Sequence, residues 1–396
     1  MQDIINFHDA YIMGTYARYP VVLACGKGAT LEDTEGKKYI DFTSGIGVNS
    51  LGAAYEPWIS AVCEQLKKIQ HISNYYYSDV TAKLAEKLVG LASGMSKVFF
   101  ANSGAEANEG AIKLARKYSF DKYQKGRGTI LTLKDSFHGR TMATLAATGQ
   151  ETFHNYFFPF PEGFKFAKRN DIEDFKSTVE ANPDICAVMV EPIQGESGVN
   201  FIDGEYIKGL YDICEEKDIL LIFDEVQTGI ARTGKVFAHE YFGVSPDIIT
   251  VAKGLGGGLP IGAFLCNEKL EKVLDAGKHG STFGGNLAVC AGGLEVLNTV
   301  SAPEFLAEVV KKGEYILKKI KQIDTMLIVE IRQSGLMIGI QIKGQPKEYA
   351  KKLLACGLLV LTAGDDVIRF LPPLNITYEE IDAGLSILES VLVEGQ

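Results

Sequence analysis

From about residue 97 to residue 264, short and almost wholly apolar runs alternate with stretches of helical period. The runs lie at 98–100, 129–133, 187–190, 219–223 and 248–251. A strand with one solvated face alternates apolar and polar positions, whereas a strand covered on both faces does not. These five runs therefore predict a mostly parallel sheet between layers of helix. Residues 105–118 and 204–217 carry the helical pattern that would cover it. The class is α/β, in which ligands bind outside the carboxyl ends of the strands.

The two ends of the chain show a different pattern. Short alternating pieces at 21–24 and 38–42 are separated by a turn signal, Asp33-Thr34-Glu35-Gly36. An amphipathic helix is expected over 303–322, then strands at 327–332, 337–342 and 358–361, and a last helix from about Glu379. The expected organisation is an N-terminal segment, 1–45, that joins a small α+β domain, a large domain over 46–290, and the rest of the small domain over 291–396. A chain of 396 residues is also too long for one ordinary core.

Composition narrows the function classes. Hydrophobic content of 46% and charged content of 23% are those of a globular protein. A formal charge of −10 argues against nucleic acid or an anionic membrane as partner. The seven cysteines are dispersed, with no Cys-x-x-Cys, which removes support for zinc or dithiol chemistry and suggests reduced thiols. The first residues show no basic region followed by an apolar one, and no apolar run approaches the roughly 18 residues of a membrane helix. A cytoplasmic enzyme is expected, with no metal.

Two polar residues end apolar runs. Asp224 follows 219–223, and Lys253 follows 248–251 and precedes the glycine-rich Gly254-Leu255-Gly256-Gly257-Gly258. A lysine for a Schiff base and a carboxylate for a ring nitrogen suit pyridoxal phosphate. Burial would lower the lysine's pKa and supply the neutral amine such chemistry needs. The glycine run lacks the Gly-Lys-Ser/Thr ending of a P-loop. A strand–turn–helix at Phe99-Phe100-Ala101-Asn102-Ser103-Gly104-Ala105-Glu106 offers a helix start for a phosphate. Ser103 could instead simply cap that helix, with Glu106 completing a capping box.

Further candidates surround these. Phe137 could stack on a flat ring and Arg140 could grip a carboxylate bidentately. Gln227, three residues after Asp224, could hydrogen-bond a phenolic oxygen. Arg369 is a charge inside an apolar stretch and needs a partner if buried, for which Glu196 is the candidate. The polar loop His279-Gly280-Ser281-Thr282-Phe283-Gly284-Gly285-Asn286 suits a ligand's neighbourhood. The other histidines show no ligand spacing.

Five stretches in order resemble the class III aminotransferases, pyridoxal-phosphate enzymes of fold type I. They are Ser44-Gly45-Ile46-Gly47-Val48-Asn49-Ser50-Leu51-Gly52, Asn102 to Asn108, Phe137 to Thr141, Asp224 to Gly229, and His279 to Asn286. The resemblance covers essentially the whole chain and is greatest to the group that acts on acetylornithine. It implies a seven-stranded-type sheet, a homodimer with a shared active site, and ping-pong transamination to 2-oxoglutarate.

The resemblance also implies residue roles. Lys253 would be the Schiff-base lysine and proton shuttle, with Asp224 on the pyridinium, Gln227 at the phenolic oxygen and Phe137 on the ring face. Ser103, Gly104 and Ala105 would hold the phosphate, which Thr282 would reach from the partner subunit. Arg140 would bind the donor's α-carboxylate or glutamate's distal one. Arg369 would take glutamate's α-carboxylate, with Glu196 masking it otherwise, and Ser281 would lie near acetylornithine. Two positions depart from the pattern: Ala53-Ala54-Tyr55 after Leu51-Gly52, and Leu287 after Gly284-Gly285-Asn286.

Overall fold

The computed structural model describes residues 1–394. Its centre is a seven-stranded sheet in the order Lys97–Ala101, Gly262–Cys266, Ile248–Val251, Leu220–Asp224, Ile185–Val190, Thr129–Leu133, Phe164–Ala167. The sheet is parallel except for Gly262–Cys266, which runs antiparallel between Lys97–Ala101 and Ile248–Val251. That strand and Phe164–Ala167 were not among the expected runs. The antiparallel strand follows a glycine-rich loop, where a local apolar pattern does not reveal how the chain turns back.

Five of the seven strands are buried along their whole length. Alternate residues feed opposite faces: Leu131, Val188, Leu221 and Phe223 pack in one apolar cluster, and Ile130, Met189, Leu220 and Ile222 in another. The helices Ile172–Ala181 and Gly204–Lys217 supply Phe175, Ile207 and Leu210 to the first cluster. Gly104–Tyr123 supplies Ala111, Ile112 and Ala115 to the second. Gly110 lets this helix press on Phe264, since a Cβ there would stand 2.2 Å from its ring.

At the ends of the chain, strands Leu23–Lys27, Thr30–Asp33 and Lys38–Asp41 form a meander, and Leu358–Leu359 adds to it in parallel. The expected turn at 33–36 joins the second and third of these strands, so Thr30–Asp33 is a strand the pattern did not show. A further sheet, Ile328–Ser334, Met337–Ile342, Val367–Phe370 and Leu361–Ala363, carries Arg369 on its third strand. Pro303–Ile320 and Tyr378–Glu394 are the expected late helices. The helix Gln2–Tyr11 was not anticipated. Among the described residues no helix is long and apolar enough to cross a membrane.

Candidate active site

The strands Lys97–Ala101, Leu220–Asp224 and Ile248–Val251 end on one edge of the sheet, where a cavity of about 470 Å³ opens. Asn102, Ser103, Gly104 and Ala105 form one wall at the start of the Gly104–Tyr123 helix. Ser103 is the N-cap: its Oγ accepts from the Glu106 N–H at 3.2 Å. The Glu106 carboxylate reaches back one residue further than a capping box requires, to the Asn102 N–H at 2.8 Å. Capping leaves the Ser103 hydroxyl proton free to donate, so the two readings of this residue are compatible. The helix's first N–H groups have no intrahelical acceptors and face an anion favourably. Close approaches hold the turn in place. A Cβ on Gly262 would lie 2.0 Å from the Ser103 carbonyl oxygen, and one on Gly104 would lie 2.7 Å from Val226.

Asp224 is buried at the cavity floor. Its Oδ2 accepts from Asn108 Nδ2 at 2.7 Å and pairs with His138 Nδ1 at 2.8 Å, while its Oδ1 accepts from the Val226 N–H at 3.0 Å. The bond to Val226 is the turn-capping bond expected after a strand, and it coexists with the cavity-facing role. Asn108 also donates to the His138 carbonyl at 2.8 Å, so three chain segments are tied at one carboxylate.

Lys253 lines the same cavity, in the turn Lys253–Gly256. Its φ is +39°, a left-handed conformation that costs a side-chain-bearing residue energy and clusters at functional sites. Desolvation lowers its amine to about 8, with Asp224 opposing that shift and Arg369 adding to it. Glu191 lines the same space and is buried. Burial raises its carboxyl to about 7, with His138 opposing and Asp224 adding. Its Oε1 accepts from the Phe137 N–H at 2.8 Å, which fixes the backbone of that aromatic.

Phe137 and Arg140 line the cavity, and the exposed Arg140 guanidinium lies over the Phe153 ring at 4.5 Å. Gln227 also lines it, and its Oε1 accepts from Arg369 Nη1 at 3.1 Å. That bond leaves the Gln227 amide N–H groups as its remaining donors. Arg369 lies behind Gln227, buried and not on the cavity wall, with Nη1 also donating to the Gly195 carbonyl at 2.6 Å. Burial lowers its guanidinium to about 10, so it stays charged at neutral pH, and Glu196 is the charge that most favours the protonated form. The expected Glu196–Arg369 contact is not formed; Glu196 Oε2 accepts from Gln150 Nε2 at 2.8 Å instead. Ser281 and Thr282 lie outside the cavity, in a second pocket that Asn102 also lines. Ser281 Oγ accepts from Asn102 Nδ2 at 3.2 Å, and Thr282 is exposed.

Eight of the candidates thus share one cavity: Ser103, Gly104, Ala105, Phe137, Arg140, Asp224, Gln227 and Lys253. Asn108, His138 and Glu191 join them without having been singled out. Glu191 follows an apolar strand just as Asp224 does, and that signal could have found it. The arrangement fits pyridoxal phosphate on its own chemistry. It combines an amine lowered toward neutrality, a carboxylate fixed by hydrogen bonds in the same cavity, and a helix start for a phosphate. No metal-binding group of His, Cys, Asp or Glu occurs among the described residues.

The family model for aminotransferase class-III matches residues 12–392. The chain belongs to the class III aminotransferases. This pyridoxal-phosphate-dependent family accounts for the mixed α/β fold and the seven-stranded sheet. Among class III relatives, an acetylornithine aminotransferase of Haemophilus ducreyi is 49% identical over 99% of both chains. One of Methanocaldococcus jannaschii is 44% identical over 99% of this chain and 98% of its own. Among solved structures, the ornithine aminotransferase of Toxoplasma gondii superposes with a TM-score of 0.95 at 31% identity, covering 100% of this chain and 95% of that one. An N-acetylornithine aminotransferase of Stenotrophomonas maltophilia gives 0.86 at 34% identity, with 99% of each chain covered.

Proposed function

We propose that this class III aminotransferase moves the terminal amine of N2-acetyl-L-ornithine to 2-oxoglutarate. The products are N-acetyl-L-glutamate 5-semialdehyde and L-glutamate, a step of arginine biosynthesis. The observation that carries this reading is full-length similarity to acetylornithine aminotransferases at 44% to 49% identity. Ornithine is the second reading, favoured by the higher TM-score of the Toxoplasma gondii enzyme. Backbone likeness reports the scaffold more than the pocket, so the higher sequence identity decides between them.

Pyridoxal phosphate supplies an aldehyde for the amine and a ring that accepts the electron pair released when the substrate carbon loses its proton. Lys253 Nζ would be the acid–base group that accepts and donates that proton, a role that suits an amine lowered to about 8. Asp224 is the counter-charge for a protonated ring nitrogen, and Gln227 is the donor for the phenolic oxygen. Phe137 packs on the ring face. Ser103, Gly104 and Ala105 hold the phosphate. Arg140 binds the donor's α-carboxylate or the distal carboxylate of glutamate, and Arg369 takes glutamate's α-carboxylate.

The enzyme acts in the cytoplasm as a homodimer, with Thr282 completing the partner's phosphate site and Ser281 near the acetylated donor. Exposed Tyr75, Tyr76 and Tyr77 support that assembly. They adjoin Asn74, whose side chain donates to the carbonyls of Ser281 and Gly284. Residues 1–45 and 291–396 make up the small domain around the cofactor-binding 46–290. Steady-state rates with acetylornithine, ornithine, succinylornithine, succinyl-diaminopimelate and 4-aminobutyrate, each with 2-oxoglutarate, test the assignment. A wide preference for ornithine over its N-acetyl form replaces the first reading with the second.

A further inference from the structure

Arg369 is a buried cation whose hydrogen bonds go to neutral acceptors, the Gly195 carbonyl and Gln227 Oε1. Its Nε is buried with no protein partner. A desolvated guanidinium with a spare donor attracts a carboxylate strongly, because the low local dielectric sharpens charge–charge forces. The adjacent carboxylate is Glu196, next in the chain to Gly195. Yet among the described residues Glu196 forms no ion pair with Arg369. Its Oε2 is engaged by Gln150 Nε2 at 2.8 Å.

Gln150 is well placed to keep it there. The same Nε2 donates to the Ser136 carbonyl at 3.2 Å. The preceding residue, Gly149, donates its N–H to both the carbonyl and the hydroxyl oxygen of Ser136, and its own carbonyl accepts from the Asp135 N–H. A Cβ on Gly149 would stand 2.1 Å from the Leu133 carbonyl oxygen, so the backbone here lies directly on the end of the Thr129–Leu133 strand. On the far side, the Glu196 carbonyl accepts from the Gly364 N–H at 3.0 Å, which anchors its main chain while the carboxylate can rotate between partners.

We propose that Gln150 is a positioning residue that holds the Glu196 carboxylate off Arg369, and so sets how readily Arg369 accepts a dicarboxylic substrate. This rests on the functional reading above, in which 2-oxoglutarate and glutamate use Arg369 and the acetylated donor does not. Glu196 and the substrate carboxylate compete for one guanidinium. Glu196 is tethered and always present, so releasing it from Gln150 gives it the advantage of high effective concentration. The dicarboxylate then has to displace it, while the donor half-reaction is untouched.

The test uses the holoenzyme and follows each half-reaction by the absorbance of the bound cofactor. Gln150→Ala is expected to raise KM for 2-oxoglutarate about tenfold, the worth of one hydrogen bond to a charged group. KM for acetylornithine is expected to stay within about twofold of wild type, a change too small to be the loss of such a bond. Gln150→Glu, which repels Glu196, is expected to act in the same direction and further. In a Glu196→Ala background, Gln150→Ala is expected to have no effect on 2-oxoglutarate.

Equal changes for both substrates, or an effect that persists without Glu196, overturns the proposal and leaves Gln150 a structural residue. Glutarate binding, read from its perturbation of the cofactor spectrum, gives the same comparison without turnover. Failure of acetylornithine as a donor therefore sinks the functional reading alone. Loss of the Gln150–Glu196 coupling in glutarate binding sinks this proposal alone.

Discussion

Asn108 and Asp224 are 116 positions apart in the chain and joined by a hydrogen bond of 2.7 Å. Asn108 lies one turn into the helix that starts the phosphate-facing wall, and Asp224 ends the strand beneath the cavity. The bond therefore couples the expected phosphate end of the cofactor to its ring end. With His138 on the same oxygen, it fixes the carboxylate in one orientation. Asn108→Ala and His138→Phe are expected to lower kcat by about 10- to 100-fold, the loss of one buried bond to a charged acceptor. Asp224→Ala is expected to cost about 10²–10³ or more, as removal of a charge aimed at the reacting system does. Steady-state kinetics checks this; an Asn108→Ala enzyme with wild-type turnover contradicts the coupling.

Lys253 predicts the pH dependence of cofactor loading. The free amine attacks the aldehyde only when neutral, and desolvation lowers its pKa from the usual 10.5 to about 8. For apoprotein mixed with pyridoxal phosphate, the rate of appearance of the bound-cofactor absorbance should rise about tenfold per pH unit below that value and level off above it. A half-point near 10 means the lysine is solvated in the open protein. Lys253→Ala should abolish both that absorbance and transamination.

The two arginines should separate by substrate. Arg140 lies exposed over Phe153 and lines the cavity, and the proposed function has either substrate present a carboxylate to it. Arg140→Ala is expected to raise KM for acetylornithine and for 2-oxoglutarate alike, by about 10- to 100-fold each. Arg369→Ala is expected to raise KM for 2-oxoglutarate by a similar factor and to spare acetylornithine. Matched effects on both substrates at Arg369 refute the division of labour.

How legible the site was depends on how local its signals are. Asp224 and Lys253 stand out because each follows an uninterrupted apolar strand, and burial on both faces is written in composition. Arg369 shows as a charge within an apolar run, but its partners do not. Gly195 and Gln227 take its donors, and Gln150, on a loop 46 residues before Glu196, removes the partner that charge alone suggests. Such pairings are set by how loops cross over strand ends, which no periodicity records. The Gly262–Cys266 strand escaped for a related reason. Its apolar run follows loop residues, and its insertion between Lys97–Ala101 and Ile248–Val251 is decided by tertiary pairing.

That inserted strand makes its own prediction. Gly262 pairs with Ala101 and passes so close to Ser103 that a methyl group would stand 2.0 Å from its carbonyl oxygen. Gly262→Ala must displace either the strand or the Ser103 turn. Overpacking of this kind costs about 1–3 kcal/mol, a drop of about 1–4 °C in Tm for a chain of this size. Weaker phosphate retention should accompany it, measured as a raised Kd for pyridoxal phosphate. A variant with normal Tm and normal cofactor affinity shows that the turn is more pliable than its packing implies.

Glu191 sets a pH dependence of stability with a definite sign. Its carboxyl is raised from an ordinary 4.5 to about 7, mainly by burial, with Asp224 adding to the shift. Between those values the folded protein keeps a proton that the unfolded chain has released. The contribution is therefore complete below pH 4.5 and is lost as pH rises through about 7, a total of about 3 kcal/mol. Glutamine keeps the shape and can still accept the Phe137 N–H, but has no proton to lose. Apo Glu191→Gln should therefore gain stability relative to wild type on going from pH 5 to pH 8. Urea unfolding of the two proteins at both values measures it. A difference between them that does not change with pH means that Glu191 is already ionised in the folded protein, with His138 outweighing its burial.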